Sequence, residues 1–94
     1  MIELGKDVAV DPNQIERVML VKKGAKIGAR IATLPASDAE DLRAPDDELI
    51  VHLKDGSATI FRGEHESKQA WDALDRVREE QRLSFGLNIN DRQG

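Results

Sequence analysis

One stretch of the sequence, residues 64–82, has the spacing of an amphipathic α-helix, and two-residue alternation dominates most of the rest. Within that stretch Ala70, Leu74 and Val77 recur at three- and four-residue steps, which places them on one helix face. Glutamates begin the stretch and arginines end it, which is the order that the helix dipole favours. The chain therefore combines one helix with several strands.

The strand-like segments before the helix are short and are separated by turn residues. They cover residues 1–10, 16–23, 27–32, 48–54 and 57–62. Asp55-Gly56 predicts a tight hairpin between the last two segments, with positive φ at both central positions. Residues 22–26 predict a turn between 16–23 and 27–32, so that these two segments form a long hairpin with a basic tip.

The predicted fold class is α+β: a small antiparallel β-meander of four to five strands with one C-terminal α-helix packed on one face. The helix would present Ala70, Leu74 and Val77 to the sheet. The sheet would present Val18, Leu49, Val51, Leu53 and Ile60. With 94 residues, the chain has the size of a single domain, 1–94.

Two segments lie outside this scheme. Residues 35–47 are rich in Asp and Glu and are interrupted by Pro45, which is typical of an exposed, mobile acidic loop. Residues 83–94 form a strand-like tail, because Leu83, Phe85, Leu87 and Ile89 alternate at period two. A solitary strand leaves its backbone groups unpaired unless it joins a sheet. The tail therefore pairs with its own sheet or with the edge of another subunit or target protein.

Composition argues against several classes of chemistry. The chain has no cysteine, which excludes disulfides, zinc–thiolate sites and iron–sulfur clusters. A metal site at His52 would need partners such as Glu64, His65 and Glu66, and nothing in the spacing forces them together. No serine lies in a Gly-x-Ser-x-Gly motif. We predict no catalytic residue, no cofactor, no metal site and no enzymatic activity. No signal-peptide pattern or membrane-span-length apolar stretch is present, so we expect a cytoplasmic protein without membrane contact.

Basic residues cluster in the first predicted hairpin, although the formal net charge of the chain is −4. The candidate phosphate-contacting residues are Lys22, Lys23, Lys26 and Arg30. No aromatic residue in this hairpin is available to stack on bases, which weakens any readout of single strands. The other interpretations are a solvated turn, or charges that face the acidic loop of the same or a neighbouring chain.

The order of elements resembles the short bacterial flagellar-operon proteins of the FlbD type. The similar segments are Met1-Ile2-x-Leu4, Asp11-Pro12-Asn13-Gln14-Ile15-Glu16, Ile50-Val51-His52-Leu53-Lys54-Asp55-Gly56, and Glu66-Ser67 with the helix that follows. They cover about half the chain, which differs by the segment between Glu16 and Leu49. The resemblance implies a small non-enzymatic protein in which strands precede a helix.

These observations favour a small non-enzymatic protein-binding module: an adaptor, an assembly factor or an inhibitor. Small acidic proteins of phages and mobile elements that act on host complexes have this composition. The candidate partner-binding residues are Phe85, Leu87 and Ile89, and a homodimer is one predicted outcome of tail pairing. The alternative is a nucleic-acid-associated accessory protein that uses the basic hairpin.

Overall fold

The computed structural model of the chain describes residues 1–5, 7–25 and 43–90, and this part contains two sheets and one α-helix. Strands β1 (Ile2–Gly5) and β2 (Val8–Val10) form a two-stranded antiparallel hairpin. A single 3₁₀ turn (Pro12–Gln14) follows, capped by the Asp11 side chain. It leads into β3 (Ile15–Val21).

The second sheet has four strands, of which β3 is the first along the chain. Strands β4 (Glu48–Leu53) and β5 (Ala58–Arg62) precede helix α1 (Glu64–Gln81), and β6 (Gly86–Asn90) comes last. The order across the sheet is β5-β4-β3-β6. The helix lies within one residue of its predicted bounds, and its N-cap Gly63 has a φ of 104°, a conformation that favours glycine.

The α+β class is confirmed, but the single antiparallel meander is wrong. Strand β6 runs parallel to β3, whereas β3, β4 and β5 are antiparallel neighbours. The reason is the helix: its 18 residues span about 27 Å and return the chain to the end of the sheet where β5 began. The next strand therefore runs parallel to β5 and crosses to the far edge.

The predicted pairing of β3 in a hairpin with residues 27–32 is also wrong over Arg17–Val21. Both edges of β3 are occupied there, one by β4 and the other by β6. Residues 26–42, which include Lys26, Arg30 and most of the predicted acidic loop, lie outside the described residues.

The main core lies between α1 and one face of the four-stranded sheet. Ala70 and Leu74 are fully buried and Val77 nearly so, which confirms the predicted helix face. Completely buried partners on the sheet are Val18, Leu49 and Val51, while Leu53 packs at the margin of the cluster. Each large side chain of this kind contributes about 1.5–3 kcal/mol by leaving water.

Ile60 is the one predicted core residue that is wrong, since it lies on the opposite face and is 50% exposed. Its place is taken by Phe61, which pairs with Leu49 and is buried. The cause is the β4–β5 turn. Gly56 alone has positive φ there, and Leu53 N–H bonds to Ser57 O, so the loop has three residues instead of two. One extra residue shifts the register by one and exchanges the two faces of β5.

Among the described residues, no helix is both long and apolar enough to cross a bilayer.

Candidate functional site

The strand-like tail joins its own sheet as β6, the first of the two predicted outcomes. Leu87 lies opposite Val18 and Ile89 opposite Leu20 in a parallel register. The pairing continues at its end, where the backbone N–H of Lys22 donates to the carbonyl of Asn90 at 2.9 Å. One side of β6 is thereby satisfied, and the other forms an end of the sheet within the described part of the chain.

The direction of the backbone groups along β6 follows from that last hydrogen bond. The N–H and C=O of one residue point to the same side of a strand, and the side alternates along the chain. Because the Asn90 carbonyl points to β3, the backbone groups of Asn88 also point to β3. Those of Leu87 and Ile89 point away from the sheet. The open edge therefore presents the donors and acceptors of Leu87 and Ile89.

The three predicted partner-binding side chains have different environments. Phe85 is 5% exposed and belongs to the main core, so its role in the fold is to anchor the start of β6. Leu87 is half-buried at the margin of that core. Ile89 is 57% exposed, although its neighbour across the sheet, Leu20, packs against the core. Of the three, Ile89 is therefore the most available to a partner.

Incomplete coverage by the helix explains why Ile89 is exposed. Helix α1 packs mainly on β1, β4 and β5, so the β3–β6 side of the same sheet face is only partly covered. Leu20 and Leu87 are half-buried there. We define the β6 surface as the outward backbone groups of Leu87 and Ile89 together with the side chains of Leu20, Leu87 and Ile89. Period-two alternation in the tail predicted part of it, but not Leu20.

Within the part of the chain that the structure describes, strand β6 also lacks the charge and the proline that protect many open strands. Its sequence, Gly86 to Asn90, contains no charged residue and no proline. Exposed sheet edges in proteins usually carry a lysine, a proline, a bulge or a covering segment that prevents pairing with another chain. The β6 surface is therefore chemically suited to receive an additional strand.

The basic and acidic segments meet at Asp47, which is 8% exposed. Its Oδ2 accepts from Lys22 Nζ at 3.2 Å, and its Oδ1 accepts from the Lys23 backbone N–H at 2.7 Å. The Lys23 N–H is the largest cause that holds the pKa of Asp47 below its ordinary value of 3.8. Burial opposes this shift, and the Lys22 ammonium adds to it.

This cluster corrects the prediction that the whole segment 35–47 is exposed, because Asp47 is buried. It also places Lys22, a predicted phosphate-contacting residue, in an intramolecular salt bridge. For this pair, the interpretation in which the basic residues face the acidic loop of the same chain is confirmed. Lys26 and Arg30 lie outside the described residues, and their predicted phosphate contacts stay predictions.

The groove between the first strand and the helix carries little chemistry. This groove of about 600 Å³ between β1 and α1 is lined by Glu3, Leu4, Gly5, Gln69, Asp72, Ala73 and Arg76. This lining offers carboxylates and a guanidinium, but no histidine, serine or lysine that could pair as nucleophile and base. Within residues 1–5, 7–25 and 43–90, no three His, Cys, Asp or Glu side chains are grouped to hold a metal ion.

No protein family, curated protein or solved structure matches the chain. The resemblance to flagellar-operon proteins accordingly stays a prediction, and we infer the function from the geometry of the β6 surface.

Proposed function

We propose that this chain is a non-enzymatic protein-binding module, an adaptor, assembly factor or inhibitor, that binds its partner by strand addition at the β6 surface. The observation that supports this most is the combination at Ile89: a side chain that is 57% exposed on an uncharged strand at the end of the sheet. Strand addition uses backbone hydrogen bonds for affinity and alternate side chains for specificity.

The geometry indicates what such a partner must offer. It needs an extended segment whose backbone bonds to Leu87 and Ile89, the two residues whose N–H and C=O point outward. On the helix side, its apolar side chains would lie beside Leu87 and Ile89, since cross-strand neighbours on one face are in contact. On the other side it would meet Asn88, which favours a polar or small residue. Each backbone hydrogen bond contributes about 0.5–1.5 kcal/mol net.

The test is a capture experiment from the source cell with immobilised full-length protein and two charged variants. Ile89→Lys places an ammonium on the β6 surface, and Ile60→Lys places one on β5, at a residue of similar exposure on the opposite face. We expect the wild-type chain and Ile60→Lys to retain the same protein, identified by mass spectrometry, and Ile89→Lys to lose it. Equal retention by all three baits would contradict the proposal.

The nucleic-acid alternative has less support, because Asp47 neutralises one of its four candidate cations by pairing with Lys22. It predicts retention on nucleic acid at low salt that weakens steeply as salt is added, since phosphate binding releases counterions. Replacing Lys23 with Gln should then reduce retention. A wild-type chain that is not retained at low salt would eliminate this alternative.

A further inference from the structure

The geometry points to a specific occupant of the β6 surface: we infer that a second copy of this chain binds there, β6 against β6 in antiparallel orientation. The inference rests on the proposed function and names its partner. The assembled sheet would be continuous across the two copies, in the order β5-β4-β3-β6 followed by the same four strands in reverse.

The register of this pairing follows from the outward direction of Leu87 and Ile89. A two-fold axis through Asn88 places Leu87 of each copy opposite Ile89 of the other. Both are residues whose backbone groups point outward, so each pair exchanges two hydrogen bonds, as hydrogen-bonded pairs in antiparallel sheets do. Every outward group of Leu87 and Ile89 is then satisfied by the same two residues of the second copy. No other two-fold register satisfies the outward groups of both residues with these two residues alone.

The side chains on both faces fit the same register. On the helix side, Ile89 of each copy lies beside Leu87 of the other, which removes the most exposed side chain of the β6 surface from water. On the opposite face the two Asn88 side chains meet, and an amide is able both to donate and to accept. Asn88 already lies over Gly86, whose missing Cβ would be 3.2 Å from Asn88 Nδ2. No residue from Gly86 to Asn90 carries a charge.

Charge favours this edge over other surfaces for self-association. Two copies with a formal charge of −4 each repel one another, so they approach best through a neutral strand. The two-fold arrangement is also closed, because each β6 surface is fully used and no further copy adds to it. A head-to-tail pairing of β6 with β5 would instead leave one open edge at each end and continue without limit.

Cysteine cross-linking tests both the partner and the register, because the chain contains no cysteine of its own. In the proposed dimer the two Asn88 residues form a non-hydrogen-bonded pair with Cα atoms about 4.5 Å apart, within the range of a disulfide. Each Ile89 lies one residue from the axis on opposite sides, so the two are offset along the strands by about two residues and lie roughly 7 Å or more apart. Ile89→Cys is thus a matched control, one residue away on the same strand.

Under mild oxidation, full-length Asn88→Cys at about 10 μM should form a disulfide-linked dimer about a hundredfold faster than Ile89→Cys, because thiols paired in a complex reach millimolar effective concentrations. Wild-type protein should sediment as a dimer, and Ile89→Lys as a folded monomer. Equal cross-linking of the two cysteine variants, faster cross-linking of Ile89→Cys, or a monomeric wild-type chain would each overturn the inference.

The failures of the two proposals are distinguishable. Suppose that the wild-type chain is a monomer, captures a different protein, and loses that protein in the Ile89→Lys variant. This result would overturn self-pairing and support strand addition by the other protein. If the Ile89→Lys variant captures the same protein as the wild-type chain, the proposed function is contradicted.

Discussion

The two strands that end the four-stranded sheet differ in how they meet solvent. Strand β5 carries Arg62, whose Nε lies 3.2 Å from Glu48 Oε1 on the neighbouring strand, and a Cβ on Gly5 of the hairpin would lie 3.2 Å from Phe61 Cε1. Strand β6 carries no charged residue. Among the described residues, neither β5 nor β6 has a hydrogen-bonded strand on its outer side.

The difference indicates that the sheet is asymmetric in its tendency to associate. On β5, Arg62 places a charge on the edge strand, which is one of the ways in which natural proteins prevent unwanted strand pairing. Both end strands expose an apolar side chain, Ile60 on β5 and Ile89 on β6, but within the described part of the chain only β6 combines it with an uncharged sequence. Four predictions test whether burial, hydrogen bonding and charge produce this contrast between the two edges.

The largest effect is expected at the anchor of β6. Phe85→Ala should lower the free energy of unfolding by about 3–5 kcal/mol, because it empties a buried aromatic site in the main core. Ile89→Ala, on the same strand but more than half exposed, should change it by less than about 1 kcal/mol. Chemical denaturation midpoints of the two variants measure the contrast. Similar midpoints would mean that β6 does not have a core end and a surface end.

A smaller loss of stability is expected from substitutions at Asp47. Its side chain accepts a hydrogen bond from Lys22 just after β3. The backbone N–H of Lys22 in turn donates to Asn90 at the end of β6. Asp47→Ala should cost about 1–3 kcal/mol, since the Lys23 N–H loses a charged acceptor. Asp47→Asn should cost less, because its amide oxygen still accepts from Lys23. Stability measurements on both variants test this order, and Asp47→Ala with wild-type stability would contradict the role assigned to the cluster.

The same residue gives a pH dependence with a defined sign. Because the pKa of Asp47 is lowered in the folded chain, its carboxylate stabilises the fold at pH values above the ordinary value of 3.8. That contribution is lost as the pH falls through the pKa of the folded state. The difference in unfolding free energy between the wild-type chain and Asp47→Asn should therefore shrink below about pH 4. A difference that is constant from pH 7 to pH 3 would contradict the lowered pKa.

The smallest change in stability is expected at the β5 edge. Arg62→Ala removes an ion pair whose arginine is largely exposed, and such pairs contribute only about 0–1 kcal/mol. If its charge protects β5, the variant should nevertheless form assemblies larger than a dimer as its concentration rises, visible by sedimentation velocity. Glu48→Gln serves as a control, because it removes the ion pair and keeps the arginine. Unchanged assembly of Arg62→Ala would contradict a protective role for this charge.

Much of the fold was accessible from the sequence, because local patterns determine it. The helix face of Ala70 and Leu74 and the strands around Leu49 and Phe61 follow from periodicity. The exposure of Ile60 does not, since it depends on whether the Asp55-Gly56 hairpin has two or three loop residues. The parallel direction of β6 depends on where the helix returns the chain, which no local pattern encodes.

The candidate site was predictable to a smaller extent for the same reason. Alternation in the tail identified Leu87 and Ile89, but it did not separate them from Phe85, because all three share the period. The three residues differ in burial because of tertiary packing. Phe85 is buried in the main core, whereas the helix and the core leave Ile89 exposed. The pairing of Lys22 with Asp47 joins residues 25 positions apart, and the sequence offered it only as one of several interpretations of the basic residues.

The most direct test of the central claim is amide hydrogen exchange along β6, followed by NMR at several protein concentrations. Self-pairing at the β6 surface predicts that the Asn88 amide, directed to β3, is protected at all concentrations. The amides of Leu87 and Ile89 should exchange rapidly in dilute protein and become protected as concentration rises and the second copy binds. Leu87 and Ile89 amides with rates that do not depend on concentration, or an Asn88 amide that exchanges faster than they do, would contradict it.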